Sequence, residues 1–192
     1  MVRAKAFFEK FFPFLSSLPS LSGFTLYDCC SGDGKVGAEF DSLGLERIVF
    51  VDVHEVGKFK TITSSIQTPY DLNCNGIENL SIKKPSILVA VHACGNLTDL
   101  IIEAAVSSKS YLAVIPCCYN SRMKNYTLGE PPDNRKLLYD SEKDYYDAFR
   151  VQFLREQGYS VFLERIDSKI TPMNNVIIGI PGNFTGSSKK VI

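Results

Sequence analysis

A short apolar segment that ends in an acid and a glycine turn limits the possible folds of this chain most strongly. The segment is residues 24–27, and Asp28 follows it directly, with Gly32 and Gly34 in the turn. Glycine lets a backbone turn sharply and approach a ligand closely, and a helix beginning near Lys35 would point its positive N-terminal end at the same place. The pattern predicts a β-strand, a ligand-binding turn and a helix, in that order.

The other apolar segments predict an α/β sandwich with a largely parallel sheet. Seven strands are expected, at residues 24–27, 47–53, 61–66, 87–92, 111–116, 160–165 and 176–180. Helices are expected near residues 3–17, 35–43, 97–108 and 141–157, with a short one within 54–60. The last two strands have no room for a crossover helix between them, so we expect an antiparallel hairpin there.

Length and composition indicate one domain over residues 1–192. An amphipathic helix rich in phenylalanine is expected within residues 1–23, and residues 182–192 are expected to form a frayed tail. The charges of the 21 basic and 21 acidic residues cancel, so the chain has no net positive charge that would attract nucleic acid. A local basic patch is still compatible with this balance.

The sequence predicts a cytoplasmic protein with no membrane partner. No stretch approaches the roughly 20 apolar residues that a membrane span needs. In a reducing compartment the six cysteines should be free, catalytic or metal-binding, and not disulfide-bonded.

Two classes of cofactor compete for the glycine turn. Residues 32–37 match the dinucleotide pattern G-x-G-x-x-G. Asp28 favours the other class, because a carboxylate at the strand tip would repel a diphosphate but would pair with the ammonium of S-adenosylmethionine. Asp28, Gly32 and Gly34 resemble the D-x-x-x-G-x-G motif of class I methyltransferases, which implies a Rossmann-like seven-stranded sandwich with an antiparallel last strand. A plain strand-to-helix turn is the structural alternative.

Two further acids follow predicted strands at the edge where ligands gather in parallel sheets. Asp52 closes the second strand, where an acid commonly accepts hydrogen bonds from ribose hydroxyls, although it could instead cap the turn into His54. Asp71 lies where methyltransferases often hold the adenine amino group with an acid. An ordinary turn aspartate is the alternative interpretation for Asp71.

His92 lies at the exit of the fourth predicted strand. Because the pKa of imidazole lies near neutrality, His92 could act as a general base or hydrogen-bond a substrate hydroxyl. The alternative is a histidine that ties this loop to a backbone carbonyl. Asn96 and Asp99, a few residues later, fit the N-cap of the following helix.

Five cysteines follow the ends of strands one, four and five, which are neighbours in this fold: Cys29, Cys30, Cys94, Cys117 and Cys118. They could provide a thiolate that adds to a pyrimidine ring, hold a metal or iron–sulfur cluster, or simply tolerate burial at tight strand ends. The adjacent pairs lack the C-x-x-C spacing of strong metal sites. Burial is therefore the favoured interpretation, and no metal is predicted.

The segments H-A-C-G-x-x-T-D and P-C-C-Y, at residues 92–99 and 116–119, resemble a methyltransferase-domain family that includes eukaryotic tRNA ribose 2′-O-methyltransferases. This resemblance implies S-adenosylmethionine as cofactor and RNA as substrate. It places His92, Cys94, Gly95, Thr98, Asp99, Cys117 and Cys118 near the reacting centre. Tyr119 stands where the tRNA enzymes tend to have histidine.

The sequence therefore predicts an S-adenosylmethionine-dependent methyltransferase acting on RNA, at a ribose hydroxyl or a base. The alternatives are a small-molecule methyltransferase and a non-catalytic cofactor-binding domain of the same fold. The predicted cofactor-binding residues are Asp28, Cys30, Gly32, Gly34, Asp52, Asp71, His92 and Cys94. The predicted catalytic or substrate-lining residues are His92, Cys117, Cys118, Tyr119 and Asn120.

Overall fold

The structure is a computed structural model that describes residues 2–119, 128–129, 139 and 141–182. Its seven strands are β1 Thr25–Cys29, β2 Arg47–Val51, β3 Tyr70–Asn73, β4 Ser86–Cys94, β5 Tyr111–Cys117, β6 Tyr159–Arg165 and β7 Asn175–Pro181. Its α-helices are α1 Val2–Leu15, α2 Lys35–Ala38, α3 Phe59–Thr63, α4 Asn96–Ser108 and α5 Glu142–Glu156.

All seven strands belong to one sheet, in the order β3-β2-β1-β4-β5-β7-β6. The first five strands run parallel, and β7 runs antiparallel to both β5 and β6. The predicted hairpin at the end of the chain and the neighbouring positions of β1, β4 and β5 are confirmed. This order brings the exits of β1, β2, β4 and β5 to one edge of the sheet, which we call the carboxyl edge.

The sheet has a separate apolar core on each face. One core contains the inward residues of α4 and α5, such as Ile101 and Leu154, and the other contains the phenylalanine-rich side of α1. In α1 the buried residues Phe7, Phe11 and Leu15 recur every fourth position, which is the spacing of one helix face. The predicted N-terminal amphipathic helix is therefore confirmed. Within the described residues no helix is long and apolar enough to cross a membrane.

The predicted third strand, residues 61–66, is wrong. Helix α3 occupies the first half of that segment, and the third strand of the sheet lies later, at Tyr70–Asn73. The β-branched residues between 61 and 63 favour a strand by propensity. Tertiary packing decides otherwise, because Phe59 and Thr63, four residues apart, are both buried on one face of a helix.

The helix predicted at residues 35–43 is broken into α2 and a 3₁₀ turn at Asp41–Leu43. Asp41 explains the break, since its carboxylate accepts hydrogen bonds from the backbone N–H of Gln67, at 3.0 Å, and of Thr68, at 2.8 Å. This contact fixes the chain that leads into β3. Because α2 is a single turn, it offers little dipole to an anion, and the hydrogen bonds around the turn become more important.

Candidate active site at the carboxyl edge

Asp28 lies inside β1, beneath the glycine turn. Only 1% of its surface is exposed. Its Oδ2 accepts a hydrogen bond from the N–H of Gly37 at 2.8 Å, while its Oδ1 has no hydrogen-bond partner among the described residues. Burial, helped by the negative charges of Asp52 and Asp33, raises the pKa of Asp28 from 3.8 to about 7. The sequence placed this carboxylate at the strand tip, whereas the structure places it under the turn.

Gly37 allows the turn and α2 to pack closely on the sheet. A Cβ atom at this position would lie 2.5 Å from Cε1 of Phe50 and 3.1 Å from Oδ2 of Asp28. The first distance is shorter than real Cβ contacts and the second is tight, so a side chain here would force Phe50 to shift. The third glycine of the G-x-G-x-x-G match therefore has a packing role that holds with either cofactor.

Asp52 fixes the turn from the neighbouring strand. Its Oδ2 accepts from the N–H of Gly32 at 2.8 Å, and its Oδ1 accepts from the N–H of His54 at 3.3 Å. The predicted cap of the turn at His54 is thus present. Each carboxylate oxygen can accept a second hydrogen bond, so Asp52 keeps capacity for ribose hydroxyls. Gly32 and Gly34 adopt φ of 52° and 79°, the left-handed conformation that glycine favours.

Asp71 does not lie at the carboxyl edge. It is the second residue of β3, opposite Val49, and the strand ends two residues later at Asn73, opposite Val51. Its side chain is 59% exposed and forms an ion pair with Arg47 at 2.5 Å. The misplaced third strand made Asp71 look like a strand exit. The structure therefore gives the adenine prediction for Asp71 no geometric support.

His92 interrupts β4 at a β-bulge, with φ of 63°. Its Nε2 lies 3.2 Å from Oγ1 of Thr171, a hydroxyl that is also 3.3 Å from the carbonyl oxygen of Met173. When that hydroxyl donates to the carbonyl, it accepts from Nε2–H, and the lone pair of the ring is on Nδ1. Burial, together with the positive charge of Arg3, lowers the pKa of His92, so the ring is neutral at pH 7.

The sequence did not identify Arg3 as a residue that acts on His92. It lies in the first turn of α1, is exposed, and is close enough to act electrostatically on His92. No local pattern around residue 3 marks this position, because it depends on how α1 packs across the sheet.

Non-glycine residues in the left-handed conformation concentrate at this edge. Four such residues occur in the described ranges, and three of them, Cys30, His92 and Cys118, lie at the exits of β1, β4 and β5. The fourth, Lys109, ends helix α4. Each left-handed side chain costs about 1 kcal/mol, and such strain accumulates at functional sites. The concentration supports a functional role for the carboxyl edge.

Three cysteine sulfurs lie together at the exits of β4 and β5. Cys94 Sγ is 2.9 Å from Cys117 Sγ and 3.4 Å from Cys118 Sγ. Burial and the neighbouring thiols raise the pKa of Cys117, and burial raises the pKa of Cys30, at the exit of β1, to about 12. Both thiols are protonated at neutral pH, which disfavours a thiolate nucleophile at either position in the ligand-free chain.

Tyr119 is not a free substrate-lining residue. It is 7% exposed, and its hydroxyl donates to Oδ1 of Asp147 at 2.9 Å. Asp147 also accepts from Nδ2 of Asn175 at 2.8 Å. Arg150 joins this network by donating from Nη1 to Oδ1 of Asp147 at 3.4 Å, and its Nε donates to Oδ1 of Asp99 at 2.8 Å. These five buried side chains tie the exit of β5 to α4, α5 and β7.

Asp99 was predicted to fit the N-cap of α4, and Thr98 was predicted to lie near the reacting centre. Asp99 does not cap α4, because its carboxylate pairs with Arg150 and the helix begins after Gly95 without a side-chain cap. Thr98 is fully buried and its hydroxyl donates to the carbonyl of Ala93 at 2.7 Å, so it stabilises the β4 exit.

Asn120, which was predicted to be catalytic or to line the substrate site, lies outside the described residues.

Comparison with known proteins identifies the family. A family model described as a methyltransferase domain matches residues 8–125, which is more than half of the chain. The chain belongs to this methyltransferase-domain family. The glycine turn, the carboxyl edge and the strained exits of β1, β4 and β5 all lie within the matched residues. Membership of the family supports S-adenosylmethionine as the cofactor.

Curated relatives are much longer than this methyltransferase domain. The glutathione S-transferase C-terminal domain-containing proteins of Homo sapiens and Mus musculus are each 26% identical over 198 residues, which cover 83% of this chain and 30% of theirs. The chain therefore spans about a third of the length of these relatives.

Solved structures confirm the predicted fold class. A candidate RNA methyltransferase from Pyrococcus horikoshii has a TM-score of 0.59 at 13% identity, covering 92% of this chain and 81% of that one. The N-methyltransferase NodS from Bradyrhizobium japonicum has a TM-score of 0.56 at 12% identity, covering 93% and 94%. At such identities the likeness establishes the Rossmann-like methyltransferase fold and not the substrate.

Proposed function

We propose that this domain transfers a methyl group from S-adenosylmethionine to RNA, with a ribose hydroxyl as the preferred acceptor. The observation that carries the proposal is the position of His92, whose left-handed backbone interrupts β4 near its carboxyl end, on the strand next to β1, and whose lowered pKa favours a neutral imidazole. The resemblance of residues 92–99 and 116–119 to tRNA ribose methyltransferases supports the same acceptor.

The cofactor side would be formed by the glycine turn and the two acids around it. The backbone of Gly32 and Gly34 would approach the amino-acid end of the cofactor, and Asp52 would accept from the ribose hydroxyls. Asp28 fits an ammonium group, because its buried Oδ1 has no hydrogen-bond partner in the described structure and its charge is uncompensated. When bound, S-adenosylmethionine would supply a methyl group on a positively charged sulfur.

On the substrate side, His92 would hold or accept the proton of the attacking hydroxyl. A neutral imidazole can do so, whereas a protonated one cannot, and the lowered pKa keeps it neutral at pH 7. Arg3 would contact a phosphate near the acceptor, because it is exposed and lies within electrostatic reach of His92. Most of the rate enhancement would come from holding the reacting atoms in line.

A small-molecule methyltransferase is the second candidate. The balance of 21 basic and 21 acidic residues favours it, since the chain has no excess positive charge to attract a polyanion. In this case the same cofactor site and the same histidine would serve a small hydroxyl or amine.

The two candidates are separated by incubating the protein with methyl-labelled S-adenosylmethionine and either bulk tRNA or a nucleic-acid-free metabolite extract. We expect label in tRNA, at positions that resist alkaline cleavage because the 2′-hydroxyl is blocked. His92→Asn should lower kcat at least tenfold with unchanged cofactor affinity, since asparagine tolerates the left-handed conformation. Arg3→Gln should weaken tRNA binding and reduce the slope of log affinity against log salt by about one.

Label that enters a metabolite and never tRNA would replace the RNA proposal by the second candidate. Unchanged kcat in His92→Asn would remove the histidine from the reaction. The cofactor affinity measured beside each assay separates these outcomes from a failure to bind S-adenosylmethionine.

A further inference from the structure

We propose that Cys94, Cys117 and Cys118 form a binding site for one thiophilic d¹⁰ metal ion, Zn²⁺ or Cu⁺. Each of the three thiols offers one sulfur, and the three sulfurs lie within 4.8 Å of one another. Soft thiolates select these ions over Mg²⁺ or Ca²⁺. None of these three residues belongs to the glycine turn itself.

The fold supplies the ligand spacing that the sequence lacks. Cys94 and Cys117 are 23 positions apart, yet they are register partners on the parallel strands β4 and β5. Cys118 follows directly, and its left-handed backbone, with φ of 60°, takes the chain out of the strand at that point. Three ligands thus converge from two strand exits, so the absence of a C-x-x-C motif does not argue against a metal.

The sulfur–sulfur distances are compatible with a shared ion, which would use all three thiols. With metal–sulfur bonds of about 2.3 Å, three sulfurs around one ion stand about 3.8–4.0 Å apart. The observed separations of 2.9 Å and 3.4 Å from Cys94 require outward adjustments of about 1 Å or less. A disulfide would need one pair to close to about 2.05 Å and would leave the third thiol unused.

The surroundings of the cluster also suit a cation. Cys94 and Cys117 both point at the backbone carbonyl oxygen of His92, at 3.5 Å and 3.3 Å. A free cysteine thiol ordinarily carries its proton at neutral pH. On binding, each sulfur–metal bond forms as an S–H bond breaks, and the proton passes to the solvent. No oxidant or reductant is needed.

The two ions require different numbers of donors. Cu⁺ is satisfied by three thiolates, whereas Zn²⁺ prefers four ligands. Cys30, half-buried just after β1, the strand next to β4, is a candidate for the fourth donor. Modification of Cys30 therefore distinguishes the two ions.

The test uses the full chain, stripped with a chelator, reduced, and titrated without oxygen with Zn²⁺ or Cu⁺. We expect one equivalent to survive desalting, with proton release on binding. Mass spectrometry after alkylation should show protection of Cys94, Cys117 and Cys118, with Cys74, which is exposed, still modified. Protection of Cys30 as well is expected with Zn²⁺ alone.

Matched variants distinguish the loss of a metal ligand from misfolding of the chain. Cys118→Ser changes a half-buried residue and should lower metal affinity at least tenfold with an unchanged circular dichroism spectrum. Cys74→Ser should leave the affinity unchanged. If neither ion is retained by the wild-type chain, or if bound metal leaves the three clustered cysteines as reactive as Cys74, the proposal is overturned.

Discussion

The carboxyl edge forms its tight turns differently in two regions. We call the exits of β1 and β2 the cofactor side and the exits of β4 and β5 the substrate side. On the cofactor side, Gly32 and Gly34 take left-handed conformations together with Cys30, and carboxylates of Asp28 and Asp52 accept hydrogen bonds from glycine N–H groups. On the substrate side, His92 and Cys118 take left-handed conformations themselves. The cofactor side therefore relies mainly on glycines, which turn at low conformational cost, whereas the substrate side has two strained residues whose side-chain chemistry glycine cannot supply.

The sides also differ in what stabilises them from below. Beneath the cofactor turn lies Asp28, a buried acid that has no cationic partner among the described residues. Beneath the substrate side, Arg150 is buried between Asp99 and Asp147, with Tyr119 and Asn175 completing the hydrogen bonds. Variants of the two regions should therefore respond differently to charge removal.

The largest expected effect is on the substrate side. Arg150→Met removes the cation from a pair of buried carboxylates, and we expect a loss of about 3–5 kcal/mol in the free energy of unfolding. Urea denaturation checks it. Arg47→Met is the matched control, because the Arg47–Asp71 pair is exposed and should contribute less than about 1 kcal/mol. Equal losses in both variants would show that the buried network is unimportant.

Asp28→Asn should raise the free energy of unfolding, whereas Arg150→Met lowers it, because Asp28→Asn removes an uncompensated buried charge. The pKa of Asp28 is raised on folding from 3.8 to about 7, so the folded wild type binds the proton more tightly than the unfolded chain. Wild-type stability therefore falls as pH rises from about 4 to 7, by about 2–4 kcal/mol from this group.

The advantage of Asp28→Asn over wild type should grow across that window and stay constant above it. Urea denaturation at pH 4.5, 6 and 8 measures this difference. A variant whose relative stability is independent of pH would show that the carboxyl is ionised throughout, which contradicts the account of its environment.

A smaller effect is expected from the packing of the cofactor turn. Gly37→Ala places a methyl group against Phe50 and should cost about 1–3 kcal/mol, with weaker cofactor binding. The control is Gly57→Ala, since a Cβ at Gly57 meets no atom within 4 Å. We expect the control to be neutral or slightly stabilising. Thermal unfolding compares the two, and tolerance of alanine at both positions would refute the close approach at Gly37.

The smallest stability effect tests the strain on the substrate side. His92→Gly should stabilise the fold by about 0.5–1 kcal/mol, because glycine adopts a positive φ without cost, while methyl transfer is lost. Lys109→Gly relieves the same strain at the end of α4 and should leave methyl transfer unchanged. If both variants keep full activity, the strain at His92 has no functional role.

The sequence predicted the strands on which the site is built, but not the residues that fix it from a distance. Seven apolar segments gave the number of strands, and the glycine turn and the C-terminal hairpin were recognisable because they depend on local backbone requirements. The strand predicted in the segment between β2 and β3 was wrong, since the burial of Phe59 and Thr63 on one helix face overrides local β-propensity. That error also misplaced Asp71.

Long-range contacts explain the remaining differences at the site. Asp99 and Arg150 are 51 positions apart, and nothing in the local pattern around either indicates their pairing. Tyr119 was predicted to line the substrate site because it follows the cysteine pair, yet its hydroxyl is engaged by Asp147. The convergence of Cys94 with Cys117 likewise depends on the register of β4 with β5, which only the folded chain provides.

The most direct test of the account is calorimetric titration of wild type, Asp52→Asn and Asp71→Asn with S-adenosylhomocysteine. The account predicts one bound molecule per chain and an affinity reduced about tenfold or more by Asp52→Asn. It predicts no change with Asp71→Asn, because the Asp71 side chain is paired with Arg47 away from the carboxyl edge. Absence of binding to the wild type, or equal weakening by the two substitutions, would contradict the placement of the cofactor at the glycine turn.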